Sequence, residues 1–193
     1  MLAFVGLGNV GDKYAATKHN AGFWVINELA ERMQIAFSPG KGDYVVGKNK
    51  RSTVLLAKPT TGMNVSGLAV NSIMSHFDID LNAMHIIVDD IDLPLGTLRI
   101  RPHGGDGCHR GMESVIYQIR NDQFPRIRIG IKTNEQTRPA EKFVLKPFRK
   151  DDQLLAESVI KRAADAIEMI IHRGLQATMT EYNRTNTNVE NAK

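Results

Sequence analysis

The sequence predicts a single-domain α/β sandwich in which a twisted, mainly parallel mixed sheet lies between helical layers. Three observations carry this. Short apolar runs and stretches of helical periodicity interleave along the whole chain rather than separating into blocks. The 193 residues, 42% of them hydrophobic, are enough for one well-buried core and few for two. Polar, glycine-bearing loops repeatedly follow apolar strands, where ligands of such sheets bind.

The elements follow in order. Leu2 to Val5 reads as a buried strand, and GLGNVGDKYAATKHN, Gly6 to Asn20, as the loop that floors a site. Its glycines fit G-x-G-x-x-G at Gly6, Gly8 and Gly11. A dinucleotide turn should run at once into an apolar helix, but Asp12 to Asn20 is polar, and Glu31 stands where a ribose-binding acid is needed, inside a helix. The glycines are therefore read as letting the chain turn tightly, bringing Asn9 and His19 towards one pocket. Phe23, Val25, Ile26, Leu29, Ala30 and Met33 give a helix from about Ala21 to Met33. Ser38-Pro39-Gly40 is turn punctuation. Tyr44 to Val46 and Thr53 to Ala57 are strands joined by the basic tip Lys48 to Arg51.

KPTTGMNVSG, Lys58 to Gly67, is a loop leading into a helix marked by Val70, Ile73, Met74 and Phe77. His85 to Val88 is a strand with Asp89, Asp90 and Asp92 at its C-terminal end. Leu98 to Arg101 is a strand that opens into PHGGDGCHRG, and Met112, Val115, Ile116 and Ile119 mark the next helix. Arg126 to Ile131 is a strand with arginines on one face, Thr133 to Ala140 a surface loop, and Phe143 to Phe148 a short apolar segment. Leu154, Leu155, Val159, Ile160, Ala163, Ile167, Ile170 and Ile171 describe one long amphipathic helix from Asp151 to Arg173, closed by Gly174. A short helix from Leu175 to Tyr182 ends the domain, taken as residues 1–184, with 185–193 a loose tail.

Composition narrows the class. The single cysteine, Cys108, rules out an internal disulfide and points to a reducing, cytoplasmic setting. No stretch reads as a signal peptide or a membrane span. The formal charge of +4 permits a polyanionic partner, with Arg99, Arg101, Arg126 and Arg128 clustered. No convincing nucleophile is present: Ser66 lies in no G-x-S-x-G elbow, and Cys108 has only His109 beside it. Attack by water is favoured, with a histidine as base and a carboxylate fixing its tautomer; His19 and Asp89 would be that pair. Asparagine amides such as those of Asn9 and Asn64 suit an ester carbonyl and the oxyanion that grows on it. Plainer readings stand beside these: a hydrogen-bonding loop histidine, aspartates as turn caps, arginines solvating a sheet face, and a metal at His103, Asp106 and His109.

GLGNVG followed by TKHNAGF, then KPTTGMNVSG, DDIDLPLG, GGDGCHRG, and RIRIGI followed by FVLKPF occur in one order over nearly the whole chain. In this the sequence resembles the bacterial-type peptidyl-tRNA hydrolases. The resemblance implies a monomeric α/β esterase, without metal or cofactor, that cleaves the ester between a peptide and the 3′-terminal ribose of tRNA. It implies His19 as catalytic histidine, Asp89 as its partner, and Asn9 with Asn64 as the amides that position substrate and water. Tyr14 and Met63 would line the substrate path, His109 would sit in a mobile gate, and Arg101 with Arg128 would clamp the tRNA 5′-phosphate. Four positions depart from the family pattern: Val10 for proline, Gly62 for an aromatic residue, Cys108 for glycine and Arg110 for asparagine. Arg110, lacking an acceptor, would pair with a phosphate of the CCA end instead. The alternative is a non-catalytic RNA-binding relative of the same fold.

Overall fold

The structure, a computed structural model, describes residues 1–184; the expected tail at 185–193 lies outside the described residues. Seven strands form one sheet: β1 (Leu2–Gly6), β2 (Ser38–Pro39), β3 (Tyr44–Lys48), β4 (Val54–Pro59), β5 (Met84–Pro94), β6 (Leu98–Arg101) and β7 (Arg126–Lys132). Their spatial order is β2-β3-β4-β1-β5-β7-β6. The centre, β4-β1-β5-β7, is parallel, while β2, β3 and β6 add antiparallel at the two edges. Pro39 is tolerated because β2 is an edge strand, where a missing N–H costs no ladder bond.

The helices are α1 (Asp12–Ala15), α2 (Ala21–Arg32), α3 (Ser66–Phe77), α4 (Arg110–Ile119), α5 (Ala140–Val144), α6 (Lys150–Arg173) and α7 (Leu175–Arg184). Because strand side chains alternate, β1 divides its apolar residues between two layers. Phe4 packs with Val25, Ile26 and Leu29 of α2 and Ala163 and Ile167 of α6. Ala3 and Val5 pack with Val70 and Ile73 of α3 and Met112 and Val115 of α4. Each fully buried aliphatic or aromatic side chain here contributes about 1.5–3 kcal/mol of transfer free energy, so burial on both faces holds the sheet between its two helix sets.

Four local differences from the sequence reading have physical causes. Gly6 and Gly8 serve close approach rather than turning: a Cβ on Gly6 would stand 2.2 Å from the Gly22 carbonyl oxygen, and one on Gly8 2.6 Å from the Phe23 ring. Only Gly11 of the three has a left-handed φ, 108°. Asp12–Ala15 coils into the short helix α1, and β5 runs on through Asp89 and Asp90 to Pro94, its register with β7 shifting between Asp90 and Pro94. The apolar stripe of α6 starts later than expected, since Leu154 is 80% exposed and the buried series begins at Ala156.

The chain leaves β1 towards β4 and leaves β5 towards β7 and β6, in opposite directions across the sheet. The crevice between the C-terminal ends of β1 and β5 is therefore the place where this topology puts a ligand.

Candidate active site

Three successive side chains of the turn Lys18–Asn20 reach three separate parts of the chain. Lys18 Nζ donates to the Pro147 carbonyl at 2.8 Å. His19 Nδ1 meets Asp89 Oδ1 at 2.8 Å. Asn20 grips the Asn9 backbone from both sides, accepting its N–H at 2.8 Å and donating Nδ2 to its carbonyl at 2.9 Å. The turn thus fixes His19, the first loop and the 143–148 segment at once. The Asn9 side chain is held in turn, its Oδ1 accepting the Met63 N–H at 2.8 Å, which fixes the amide at its oxygen on the cleft wall.

Asp89, at the C-terminal part of β5, is buried and takes two histidines on one oxygen: His19 Nδ1 at 2.8 Å and His109 Nε2 at 3.0 Å, both on Oδ1. His109 is the N-cap of α4, and its Nδ1 accepts the Met112 N–H at 3.2 Å. That bond leaves the ring proton on Nε2, where it is donated to Asp89. His19 correspondingly donates from Nδ1, which leaves its Nε2 as the basic nitrogen. Burial opposes the charged forms of both partners. The carboxylate outweighs it at His19, raising the imidazole's pKa above 6.5, and the two histidines outweigh it at Asp89, holding the carboxyl well below the usual range.

The same tautomer argument decides what the cluster can hold. The ligand atoms of His19, Asp89 and His109 lie within 4.8 Å of one another, a spacing a cation could span. A metal needs a lone pair from each ring, and His109 has none left once Nδ1 accepts from Met112 and Nε2 carries the proton. The donor set fits a doubly hydrogen-bonded carboxylate. His103 and Asp106, grouped with His109 as metal candidates in the sequence, are not part of the cluster; Asp106 Oδ1 instead accepts the Cys108 N–H at 2.6 Å.

His19, Asp89, Asn9, Tyr14, Met63, Asn64, His109, Arg110 and Arg128 all line one cleft of about 1030 Å³. Arg101 does not line it: it is exposed at the end of β6, two ladder positions from Arg128, because Arg99 faces Arg128 and Arg101 faces Arg126. Arg128 is steered by Asp90, Nε to Oδ2 at 2.7 Å, and keeps the rest of its fork for a ligand. Arg126 has a different task. Its guanidinium donates to the carbonyls of Phe124 at 3.0 Å and Asp122 at 3.0 Å, and to those of Gly104 and Gly105, so it ties the glycine-rich loop to β7.

At the departures, Arg110 is an exposed residue paired with Glu113 at 3.0 Å. Cys108 takes a left-handed φ of 60°, a conformation glycine would adopt without strain. A side chain at Gly62 would find only Asn64 Oδ1 at 3.4 Å and Val65, so this wall is open. Sequence reasoning gave no role to Asn20 or Lys18, and it named Asp90 and Arg126 only as members of an acidic and a basic cluster. Asn20 adjoins the histidine and Arg126 begins RIRIGI, but which side chain supports and which meets a ligand depends on pairings between residues far apart in the chain.

With this geometry in view, comparison with known proteins is specific. The family pattern described as peptidyl-tRNA hydrolase matches residues 3–191. The peptidyl-tRNA hydrolases of Syntrophomonas wolfei and Alkaliphilus oremlandii are each 42% identical, over 185 and 188 residues, covering 95% of this chain and 100% of theirs. The crystal structure of the Acinetobacter baumannii peptidyl-tRNA hydrolase superposes with a TM-score of 0.88 at 31% identity, covering 95% of this chain and 94% of that one. A match across nearly the whole length, to sequences and to a fold that all carry one family name, places this chain in the peptidyl-tRNA hydrolase family.

Proposed function

We propose that this protein hydrolyses the ester between peptide and tRNA in peptidyl-tRNA, freeing the tRNA, with water activated by His19. The observation that carries the mechanism is the 2.8 Å bond from His19 Nδ1 to the buried Asp89 carboxylate, which leaves Nε2 unprotonated in a cleft lined by two asparagine amides. His19 Nε2 takes a proton from water as the oxygen adds to the ester carbonyl, and Asp89 stabilises the imidazolium that results. The Asn9 amide, held by Met63, and the Asn64 amide supply N–H groups for the tetrahedral oxyanion. The intermediate collapses by breaking the carbon–oxygen bond to ribose, and His19 returns its proton to that oxygen.

In this reading Arg128, with Arg101 on the neighbouring strand, receives the tRNA 5′-phosphate, and Arg110 meets a phosphate of the CCA end. Tyr14 and Met63 border the substrate, and His109 moves with the glycine-rich loop. Residues 1–184 act as one domain, because both apolar layers share one sheet. The protein works as a monomer in the cytoplasm and needs no cofactor. Its one cysteine is free, and no described helix is long and apolar enough to cross a membrane. The test is release of N-acetylated amino acid from a charged tRNA, with and without EDTA. Release in both arms is expected; binding of tRNA without release would identify an RNA-binding relative and overturn the reading.

A further inference from the structure

We infer that Lys18 is a positioning residue for the reaction: its buried ammonium locks the His19 turn to the segment that walls the cleft, and so holds the base against Asp89. The inference rests on the proposed role of His19.

Lysine is almost never fully buried without partners, and the Lys18 side chain is 0% exposed. Its three donors are all used: Nζ meets the Pro147 carbonyl at 2.8 Å, the Lys146 carbonyl at 3.5 Å and Glu135 Oε2 at 3.4 Å. The ammonium also lies 4.5 Å from the Phe143 ring centre and 5.2 Å from that of Phe148. The Lys18 backbone N–H adds a bond to the Lys146 carbonyl at 3.1 Å. Glu135 continues the link outward to Arg149 Nε at 3.1 Å. Between these anchors the chain supplies Arg138, Pro139, Ala140, Glu141, Val144 and Leu145 to the cleft.

An apolar side chain would fill this volume without the desolvation that a buried ammonium carries, so packing alone does not call for lysine. What the cation adds is a three-way tie between carbonyls at one end of the wall, a carboxylate at the other, and the residue beside the base. Around Lys18 the charged groups are Glu135, Asp152 and Lys146. Around His19 they are Asp89 and, 4.9 Å away ring to ring, His109. Lys18 acts on His19 through position, since the charge that raises the imidazole's pKa is that of Asp89.

The experiment compares Lys18→Met, Lys18→Arg and His19→Ala on peptidyl-tRNA across pH, with folding followed by circular dichroism. Misplacement by about 1 Å costs on the order of 100-fold in rate. Lys18→Met is therefore expected to lower kcat by roughly 10- to 100-fold with little change in KM. The acidic limb of its rate profile moves to lower pH, as His19 loses alignment with Asp89, and Lys18→Arg restores most of the rate. A purely structural lysine would change Tm and the folded fraction without moving that limb. A folded Lys18→Met with parental kcat and an unmoved limb overturns the inference. If Lys18→Met does not fold, Glu135→Ala must show the same fall in kcat and the same direction of shift, and its failure to do so overturns it equally. Loss of activity in His19→Ala beside a normal Lys18→Met rejects the inference alone; parental activity in His19→Ala rejects the underlying mechanism.

Discussion

Replacing Asp89 with asparagine separates charge from geometry in this site. Both histidine N–H groups end on Oδ1, and Oδ2 has no hydrogen-bond partner among the described residues. An asparagine amide with its oxygen in the Oδ1 position therefore keeps both bonds, and the flipped amide is disfavoured because it would set NH₂ against two donors. What disappears is the negative charge. A hydrogen bond to a charged group is worth about 1.5–3 kcal/mol and a neutral one about 0.5–1.5, so the developing imidazolium loses about 1–2 kcal/mol. That corresponds to a fall in kcat of roughly 5- to 30-fold. It also lowers the His19 pKa, because the carboxylate charge that raised it is gone, so the acidic limb of the rate profile moves to lower pH. Asp89→Ala removes the acceptor as well and should cost at least about tenfold more. The assay is kcat on N-acylated aminoacyl-tRNA over the pH range of the acidic limb. Equal losses in the two variants, with an unmoved limb, would refute the division of labour assigned to Asp89.

Other outcomes follow from single contacts. Asn20→Ala frees the Asn9 loop and should lower kcat/KM about tenfold, the effect of roughly 1.4 kcal/mol, while steady-state tRNA affinity stays within a factor of two or so. Arg128→Gln should reduce the salt slope of tRNA binding by about one and abolish any preference for 5′-phosphorylated over dephosphorylated tRNA, measured by competition. His85 is buried against Phe4 and Ala83, and desolvation lowers its pKa to about 4 from 6.5. The unfolded chain then binds the proton first, so stability is full above 6.5 and falls towards pH 4 by up to about 3 kcal/mol, which urea titrations should show and His85→Leu should diminish.

Much of this was legible in the sequence because interleaved periodicity specifies an α/β sandwich and because the motif loops adjoin strand ends. The His19 and Asp89 pairing was reachable by chemistry, as a base needs a carboxylate. Other features were not legible. The glycines of GLGNVG look like a turn, and only the packing of α2 against β1 shows Gly6 making room for the Gly22 carbonyl. RIRIGI looks like a basic face, yet Arg126 spends its guanidinium on loop carbonyls while Arg128 keeps a free edge. Lys18 reads as one more surface cation, and its burial depends on Glu135 and Pro147, residues more than a hundred positions away.

Single-turnover cleavage by His19→Ala, with tRNA affinity measured on the same preparation, bears on the base most directly. Loss of cleavage by roughly a hundred- to ten-thousandfold, at parental affinity, is the expected result, since general-base catalysis contributes roughly 10²–10⁴ in rate and the cleft is otherwise intact. Cleavage at the parental rate would show that the proton leaves water by some other route.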